Sequence, residues 1–459
     1  MHRKFKLINI DQYFMKNHIV KLWSVVVALG GFLFGFDTAV ISGAEKAIEQ
    51  YWQLTIFEHG FTISVALMGT VIGSLLGSYP TDKLGRKKTL YLVALAYLFA
   101  SLGTAFTGNW YLFVVFRFVG GLGVGASSVT APIYISEIAP PDRRGALVGL
   151  FQFNVVLGIL ISYLSNYLIN QLGDESWRLM LGIQAVPSLL FLIAIYFIRE
   201  SPRWLLMKGL RRDEAIETLS IINPLGYHQE LIAIENTAKL KAAKESPALF
   251  VKAYRRPLIL AGLFAFFNQL SGINAIIYYA PRIFEMAGLG VHSSLLSTIG
   301  IGMTNFVFTL LAVQLIDKVG RRMLMKIGSL GIIISLLLVV FSFNNPAASG
   351  MYISLYFMFF IACFAFSQGA VIWVFMAEIF PNQVRAKGQT FGSSIHWVLA
   401  ALVTFAFPIL AEALGGMMTF LFFGVMMVLQ LVFVIWWMPE TKGISLEAIE
   451  AQLANEPLA

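Results

Sequence analysis

Charge is scarce in this sequence. Only 13% of the 459 residues are charged, against 58% hydrophobic, whereas water-soluble domains carry about 25% charged residues. That scarcity excludes a chain whose main solvent is water. Cysteine is scarcer still, since Cys363 stands alone. No intrachain disulfide can form, and its place inside an apolar run reads as a structural thiol. A Gly-rich phosphate-cradling loop is absent, and the polar central segment holds no nucleophile-base or metal-ligand grouping. Both absences argue against an enzyme and against a bound cofactor. The first twenty residues carry Arg3, Lys4, Lys6, Asp11, Lys16 and His18 before any apolar run begins. No cleavable signal is expected, and the first apolar run serves as an uncleaved insertion signal.

What the chain has instead is long apolar runs. A membrane-spanning helix needs roughly 20 mostly apolar residues. About twelve such runs begin, near Leu22, Phe61, Thr89, Trp110, Ala146, Leu179, Leu258, Leu296, Leu324, Met351, Gly388 and Met417. Backbone groups in a bilayer must bond within their own segment, so these runs are helices. The expected fold is an all-α membrane protein of 12 transmembrane helices. A formal charge of +8 can signal nucleic acid, but the basic residues fall in alternate loops: Lys83 to Lys88, Arg143 with Arg144, Lys318 to Arg322, Arg385 with Lys387. The opposite loops, Thr107 to Asn109 and Asn344 to Gly350, carry almost none. By the positive-inside rule both termini are cytoplasmic, in a multi-pass protein of a cell membrane.

The stretch from Arg199 to Arg256 differs, with eleven basic and seven acidic residues in weak helical periodicity. It reads as a cytoplasmic linker of short amphipathic helices between two six-helix halves. The boundaries are 1–198 for the first half, 199–256 for the linker, 257–438 for the second half and 439–459 for a cytoplasmic tail. Short motifs recur in corresponding places of the halves. Asp82-Lys-Leu-Gly-Arg86 matches Asp317-Lys-Val-Gly-Arg321, and Glu137-Ile-Ala-Pro with Arg144 matches Glu378-Ile-Phe-Pro with Arg385. Duplicated halves imply alternating access, in which one half rocks against the other about a central site. The repeated charges either fix topology alone or form networks at helix ends. In the second reading, pairs among Asp82, Arg86, Glu137, Arg144, Asp317, Arg321, Glu378 and Arg385 lock the cytoplasmic face while the outside is open, each exposed pair contributing about 0 to 1 kcal/mol.

An ionisable group inside a span costs roughly 2.5 to 3.5 kcal/mol on insertion scales and is a functional candidate by default. Asp37 is placed about seven residues from the outer end of helix 1, and Arg117 at about the same depth in helix 4. At a rise of 1.5 Å per residue, both lie about 10 Å below the outer surface and can pair if helices 1 and 4 are neighbours. Two readings are open, a structural ion pair and a proton-coupling site. A nearby guanidinium favours the carboxylate and burial favours the neutral acid, so a movement that changes their distance makes protonation depend on conformation.

Polar side chains gather near mid-depth: Gln152, Asn268, Gln269, Asn274, Asn305 and His396. Amides both donate and accept, which suits the hydroxyls of a neutral polyol. Trp373 and Trp397 share the zone, and an aromatic face packs on the apolar face of a pyranose. Any one amide can instead bond a neighbouring helix. Several from both halves favour a site. Gly272, Pro281 and the residues between them suggest a break in helix 7. His396 titrates near neutrality as a residue type, so proton transfer and substrate hydrogen bonding are both open to it.

These residues carry a resemblance. The chain resembles the sugar porters of the major facilitator superfamily over nearly its whole length, and looks most similar to bacterial proton-linked sugar symporters. The matching motifs are Gly85-Arg-Lys-Lys, Arg117 with Gly120-Gly121, Glu137 to Gly145, Glu200-Ser-Pro-Arg203-Trp-Leu, Gln269-Leu-Ser-Gly-Ile-Asn274, Gly320-Arg-Arg, Glu378 to Arg385 and Pro439-Glu-Thr-Lys-Gly. The Glu200 and Pro439 motifs resemble one another as a third repeat, which adds Glu200 and Arg203 to the cytoplasmic charges. The resemblance implies sugar contacts at Phe34, Gln152, Gln269, Asn274, Tyr278, Asn305, Trp373 and Trp397, with Asp37 at the acidic position of proton symporters and Arg117 as its partner.

Three departures matter. Asn268 stands where Gln is common, His396 where Gln or Asn is usual, and Ala370 where Pro often follows Gly369, which suggests a softer break in helix 10. The resemblance therefore implies import of a neutral monosaccharide (a pentose, hexose or cyclic polyol) with a proton by one chain in the bilayer, with no cofactor and no nucleic acid. An uncoupled facilitator uses the same site. A sugar sensor would be expected to carry a long cytoplasmic tail, whereas about twenty residues follow Met438.

Overall fold

Eighteen α-helices, and no strand among the described residues, account for the architecture. The computed structural model describes residues 2–140, 143–173, 175–208, 211–242, 248–344, 350–381, 383–444 and 449, with the side chains of 2–17, 237–242, 350 and 351 excepted. In the first half the order is α1 (His2–Trp52), α2 (Ile56–Leu76), α3 (Ser78–Lys83), α4 (Arg86–Phe106), α5 (Trp110–Ile138), α6 (Arg144–Ile169), α7 (Ser176–Gly182) and α8 (Ala185–Tyr196). Three short helices follow, α9 (Pro202–Met207), α10 (Arg212–Ile222) and α11 (Tyr227–Ala242). The second half holds α12 (Arg255–Gln269), α13 (Ile273–Met286), α14 (Val291–Val319), α15 (Arg321–Asn344), α16 (Gly350–Phe366), α17 (Gln368–Glu378) and α18 (Arg385–Trp436).

Among the described residues, eleven segments are long and apolar enough to cross a membrane. The last of them, α18, has 52 residues, which at 1.5 Å per residue is about 78 Å and far exceeds one bilayer. Gly415 resolves this: its φ of 75° and ψ of 164° are non-helical and divide α18 into two spans, giving twelve. Large apolar side chains such as Phe106, Phe99 and Leu190 stand exposed on the outside of the bundle. In water such a cover would be an aggregation surface, whereas in lipid it faces its solvent.

Close backbone approach holds the first half together. A Cβ on Gly35 of α1 would meet the Val155 carbonyl oxygen at 1.8 Å, and one on Gly158 of α6 would meet that of Phe32 at 2.1 Å. Small residues at facing positions permit this contact without side-chain intervention. Spans 1–6 are joined to spans 7–12 chiefly by α2 on α18, α6 on α14 and α1 on α13. The loop from Asn344 to Gly350 falls largely on 345–349, outside the described residues, as do 445–448 and 450–459 of the tail.

Candidate functional site

Asp37 and Arg117 meet at the centre of the first half. Arg117 Nη1 donates to Asp37 Oδ1 at 2.9 Å, with each residue 3% exposed. The depth assigned to Asp37 from sequence needs correction, because α1 does not end some seven residues beyond it but runs on to Trp52. Glu45, Lys46 and Glu49, which resemble loop residues in composition, belong to that helix. The pair forms nonetheless, and Gly120 leaves room beside it, its virtual Cβ lying 3.8 Å from Asp37 Oδ1. Arg117 uses only one arm of its fork, since Nε and Nη2 find no protein acceptor. A one-point pair satisfies less of a buried guanidinium than a bidentate one and is easier to part. Tyr278 of α13, from the other half, is buried against Thr38 within electrostatic reach of both charges.

Helix 7 supplies the amides because it breaks. Leu270 closes α12, and Gly272 takes φ 85° and ψ 10°, a left-handed conformation that only glycine adopts without cost. Inside α13, Tyr279 is also non-helical, two residues before Pro281. The break leaves Gln269 and Asn274 facing each other: Asn274 Nδ2 donates to Gln269 Oε1 at 2.5 Å, and Gln269 Nε2 donates to Asn268 Oδ1 at 3.1 Å. Gln269 Nε2 also lies 3.1 Å from the His396 ring nitrogens. His396 sits between Trp373 and Trp397, with ring centroids 5.0 and 4.9 Å away. Trp397 in turn contacts Phe34 at 5.6 Å. One connected group of amides, imidazole and aromatic faces therefore joins both halves.

Gln152 and Asn305 are not bonded to that group. Gln152 is exposed within α6, and Asn305 Oδ1 accepts from Thr309 at 3.4 Å. Their neighbours Phe153 and Phe306 meet across α6 and α14 in a tilted contact, ring centroids 5.4 Å apart, which puts the two amides on facing helices. Helix 10 also differs from expectation. Its break falls at Ser367, between α16 and α17, with φ −112° and ψ −93°. Gly369 and Ala370 lie inside α17. Ser367 bonds back to the Cys363 carbonyl at 2.6 Å and Gln368 Nε2 donates to Gln430 at 2.8 Å, so side-chain bonds make the break that proline does not.

The face carrying the basic loops holds two nearly superposable networks. Arg86 forks onto Glu137 at 3.0 and 2.9 Å and reaches Asp82 at 3.2 Å. Arg321 forks onto Glu378 at 3.1 and 2.7 Å and reaches Asp317 at 2.9 Å. Glu200 accepts from the backbone N–H groups of Arg86 and Lys87 at 2.9 and 3.1 Å, and Glu440 from those of Arg321 and Arg322 at 2.9 and 3.0 Å. Each carboxylate thereby caps the orphan donors and positive end of a helix, α4 or α15. Glu440 fills the role of Glu200, although the charges picked from sequence omit it. Among the described residues, Arg144 and Arg203 enter no ion pair and Arg385 bonds only the Phe380 carbonyl, at 3.4 Å. Among the described residues, no ion pair on this face joins the two halves.

Charges that do join the halves lie at the opposite end, and sequence reading missed them. Glu45 of α1 accepts from Arg282 Nε of α13 at 2.9 Å; Glu49 also bonds Arg282, and Lys46 bonds Glu285. His59 of α2 brings Nε2 within 2.8 Å of Glu45 Oε2. The available signal was the i, i+4 spacing of Glu45 and Glu49, which continues helical periodicity past the apolar run.

Two six-helix halves around a buried ion pair and an amide-lined centre, with duplicated charge networks at one end, define a membrane carrier of the major facilitator type. Residues 23–453 match the family described as "Sugar (and other) transporter", and the chain belongs to that family. It is 36% identical to the arabinose-proton symporter of Bacillus subtilis over 94% of each chain, and 33% identical to the D-xylose-proton symporter of Escherichia coli over 93% of this chain and 94% of that one. Among solved structures, the inward-open xylose transporter of Escherichia coli overlays with a TM-score of 0.84 at 32% identity, covering 94% of this chain and 99% of that one. The same symporter bound to 6-bromo-6-deoxy-D-glucose gives 0.75 at 33% identity, covering 94% and 99%.

Proposed function

We propose that this protein imports a neutral monosaccharide, a pentose, hexose or cyclic polyol, together with one or more protons by alternating access. The buried Asp37–Arg117 pair, with Tyr278 of the other half against it, is the single observation that carries this reading. The names of the relatives support it, since arabinose and D-xylose carriers among them are proton symporters. The protein acts alone in a bacterial inner membrane, takes no cofactor beyond the co-transported proton and catalyses no chemical reaction.

The basic-loop face is cytoplasmic under the positive-inside rule, as are both termini. The division into 1–198, 199–256, 257–438 and 439–459 assigns one moving body to each half and the linker and tail to the cytoplasm. With the halves paired by charges at the outer end, the arrangement is inward-facing, in keeping with the closer overlay on an inward-open relative. Here Asp37 is paired with Arg117. Loading belongs to the state in which they part.

Sugar hydroxyls compete for the amides of Gln269 and Asn274 and for His396, flanked by Trp373, Trp397 and Phe34; Gln152, Asn268 and Asn305 complete the wall. Breaking the Gln269–Asn274 bond frees α13, which carries Tyr278 against the proton site. Each cytoplasmic network (Asp82, Arg86, Glu137, Glu200; Asp317, Arg321, Glu378, Glu440) keeps its half rigid as the halves rock, with Arg144, Arg203 and Arg385 free to pair when the cytoplasmic face closes. In vesicles with an imposed pH gradient, Asp37→Asn abolishes uphill sugar accumulation while sugar exchange persists. Intact accumulation by that variant would contradict the coupling.

A further inference from the structure

The outer charge cluster is built so that one carboxylate must change partners in every cycle. Glu45 is 1% exposed and has two cationic neighbours on different bodies: Arg282 on α13 of the second half, and His59 on α2 of its own half. Arg282 holds it by a directed hydrogen bond. His59, wholly buried, has Nε2 2.8 Å from Glu45 Oε2, close enough to share that carboxylate with Arg282. When the outer side opens, α13 withdraws and takes Arg282 with it. An ionised Glu45 left without a partner would be strongly unfavourable.

We propose that His59 takes up a proton from the outer medium as Arg282 leaves, so that an imidazolium replaces the guanidinium beside Glu45, and that opening of the outer face is thereby favoured by acid outside. The proposal rests on the transport reading above. It adds a second proton-responsive group to Asp37. The proton is bound from outer water on opening and returned to it on closing, so the number of protons carried per sugar is unchanged. Imidazole is suited to this because its protonation switches within the ordinary pH range of the medium.

The groups facing His59 are few. From α1 they are Glu45 and Glu49, whose carboxylates lie within 4.8 Å of the imidazole. From α13 they are Arg282 and Tyr279, the latter at 5.9 Å between rings with its hydroxyl donated to the Thr404 carbonyl. On α2 itself, Glu58 is engaged by Thr55. From α18 the neighbours are the Phe405 carbonyl and Pro408, beside Gly60, with Glu412 one turn further along that helix and exposed. A bound cation is not favoured, since Arg282 already occupies the carboxylates.

The test measures the outer opening directly and leaves transport aside. Spin labels go on Gly108→Cys in the first half and Gly290→Cys in the second, where an added side chain meets nothing within 4 Å, in a Cys363→Ala, Asp37→Asn background that removes the first proton site. Distances are read between pH 5 and pH 8. Acid is expected to raise the long-distance population, by at most about tenfold per pH unit, the limit for one proton. His59→Gln is expected to lose that response. Arg282→Gln, at the partly exposed edge of the cluster, is expected to open the outer face at every pH and lose the response too, because Glu45 then faces His59 in both states. An acid response that survives in either variant, or closed distances in Arg282→Gln, overturns the proposal. Neither outcome bears on whether Asp37 couples transport.

Discussion

The two ends of the bundle use charge in opposite ways. At the linker end, Arg86 and Arg321 sit in networks that repeat almost bond for bond and stay within their own halves. At the other end, Arg282 crosses between halves to Glu45 and Glu49 and has no counterpart in the repeat. Duplication preserved what makes each half a rigid body, where the same helix-end problem has the same solution twice. The contact that defines a conformational state was built once, from residues outside any repeated motif. Ion pairs of similar geometry therefore do different work: those inside a body stabilise it throughout the cycle, and those between bodies bias a two-state equilibrium.

Three perturbations can break or sharpen that contrast. The largest effect is expected from Arg321→Ala, which leaves Glu378 with the Thr441 hydroxyl but no cation and removes donors to the Ile316 carbonyl and Asp317. Breaking a buried pair costs about 3 to 5 kcal/mol; with Glu378 23% exposed and Asp317 mostly in solvent, screening is expected to leave about half of that. Thermal unfolding in detergent should show the loss without a change in the outer label distances. A shift in those distances would mean that the linker-end networks also set the state.

A smaller effect is expected from Gly85→Ala and Gly320→Ala. Both glycines have positive φ, 100° and 96°, and a Cβ would approach Oε2 of Glu200 at 2.3 Å or of Glu440 at 2.7 Å. Backbone strain of this kind costs about 1 to 3 kcal/mol. The two variants should lose similar melting temperature, with Gly85→Ala the worse. Unequal losses in the reverse order would show that the networks are less alike than their distances suggest.

The smallest effect separates the two caps by pH. Deep burial raises Glu200 above the ordinary carboxylate range, against the pull of its backbone N–H donors and Arg86. Burial also opposes the charge on Glu440, but four N–H donors prevail and hold it below that range. A raised carboxyl contributes stability below its unfolded value and loses it as pH rises through its folded value; a lowered one contributes above its unfolded value and loses it as pH falls through its folded value. On acidification Glu200 should therefore take a proton first, in the range above ordinary Glu, while Glu440 stays ionised until below it. Carboxyl signals of isotope-labelled Glu, assigned with Glu200→Gln and Glu440→Gln, would show the order. Protonation of Glu440 first would contradict it.

Much of this was legible in the sequence. The runs of about 20 apolar residues gave the spans, and the last two are divided where the Gly415 backbone leaves the helix. The break of helix 7 could be read from Gly272 and Pro281, while that of helix 10 could not, because Ser367 makes it through bonds to Cys363 and, one residue on, to Gln430. Asp37 and Arg117 were paired by depth even though the end of α1 was misplaced by the charges that follow. What stayed hidden was any pairing that depends on how the halves meet. Nothing in the local pattern of Glu45 or Arg282 says that they touch, since their contact depends on how the two halves meet.

The central claim is that a sugar and a proton cross together through Asp37. It is tested most directly by adding candidate pentoses, hexoses and inositols to lightly buffered, de-energised vesicles and following external pH. A transported sugar should alkalinise the medium with the wild-type protein and leave it unchanged with Asp37→Asn. Sugar entry without alkalinisation in the wild type would make this protein a facilitator and contradict the claim.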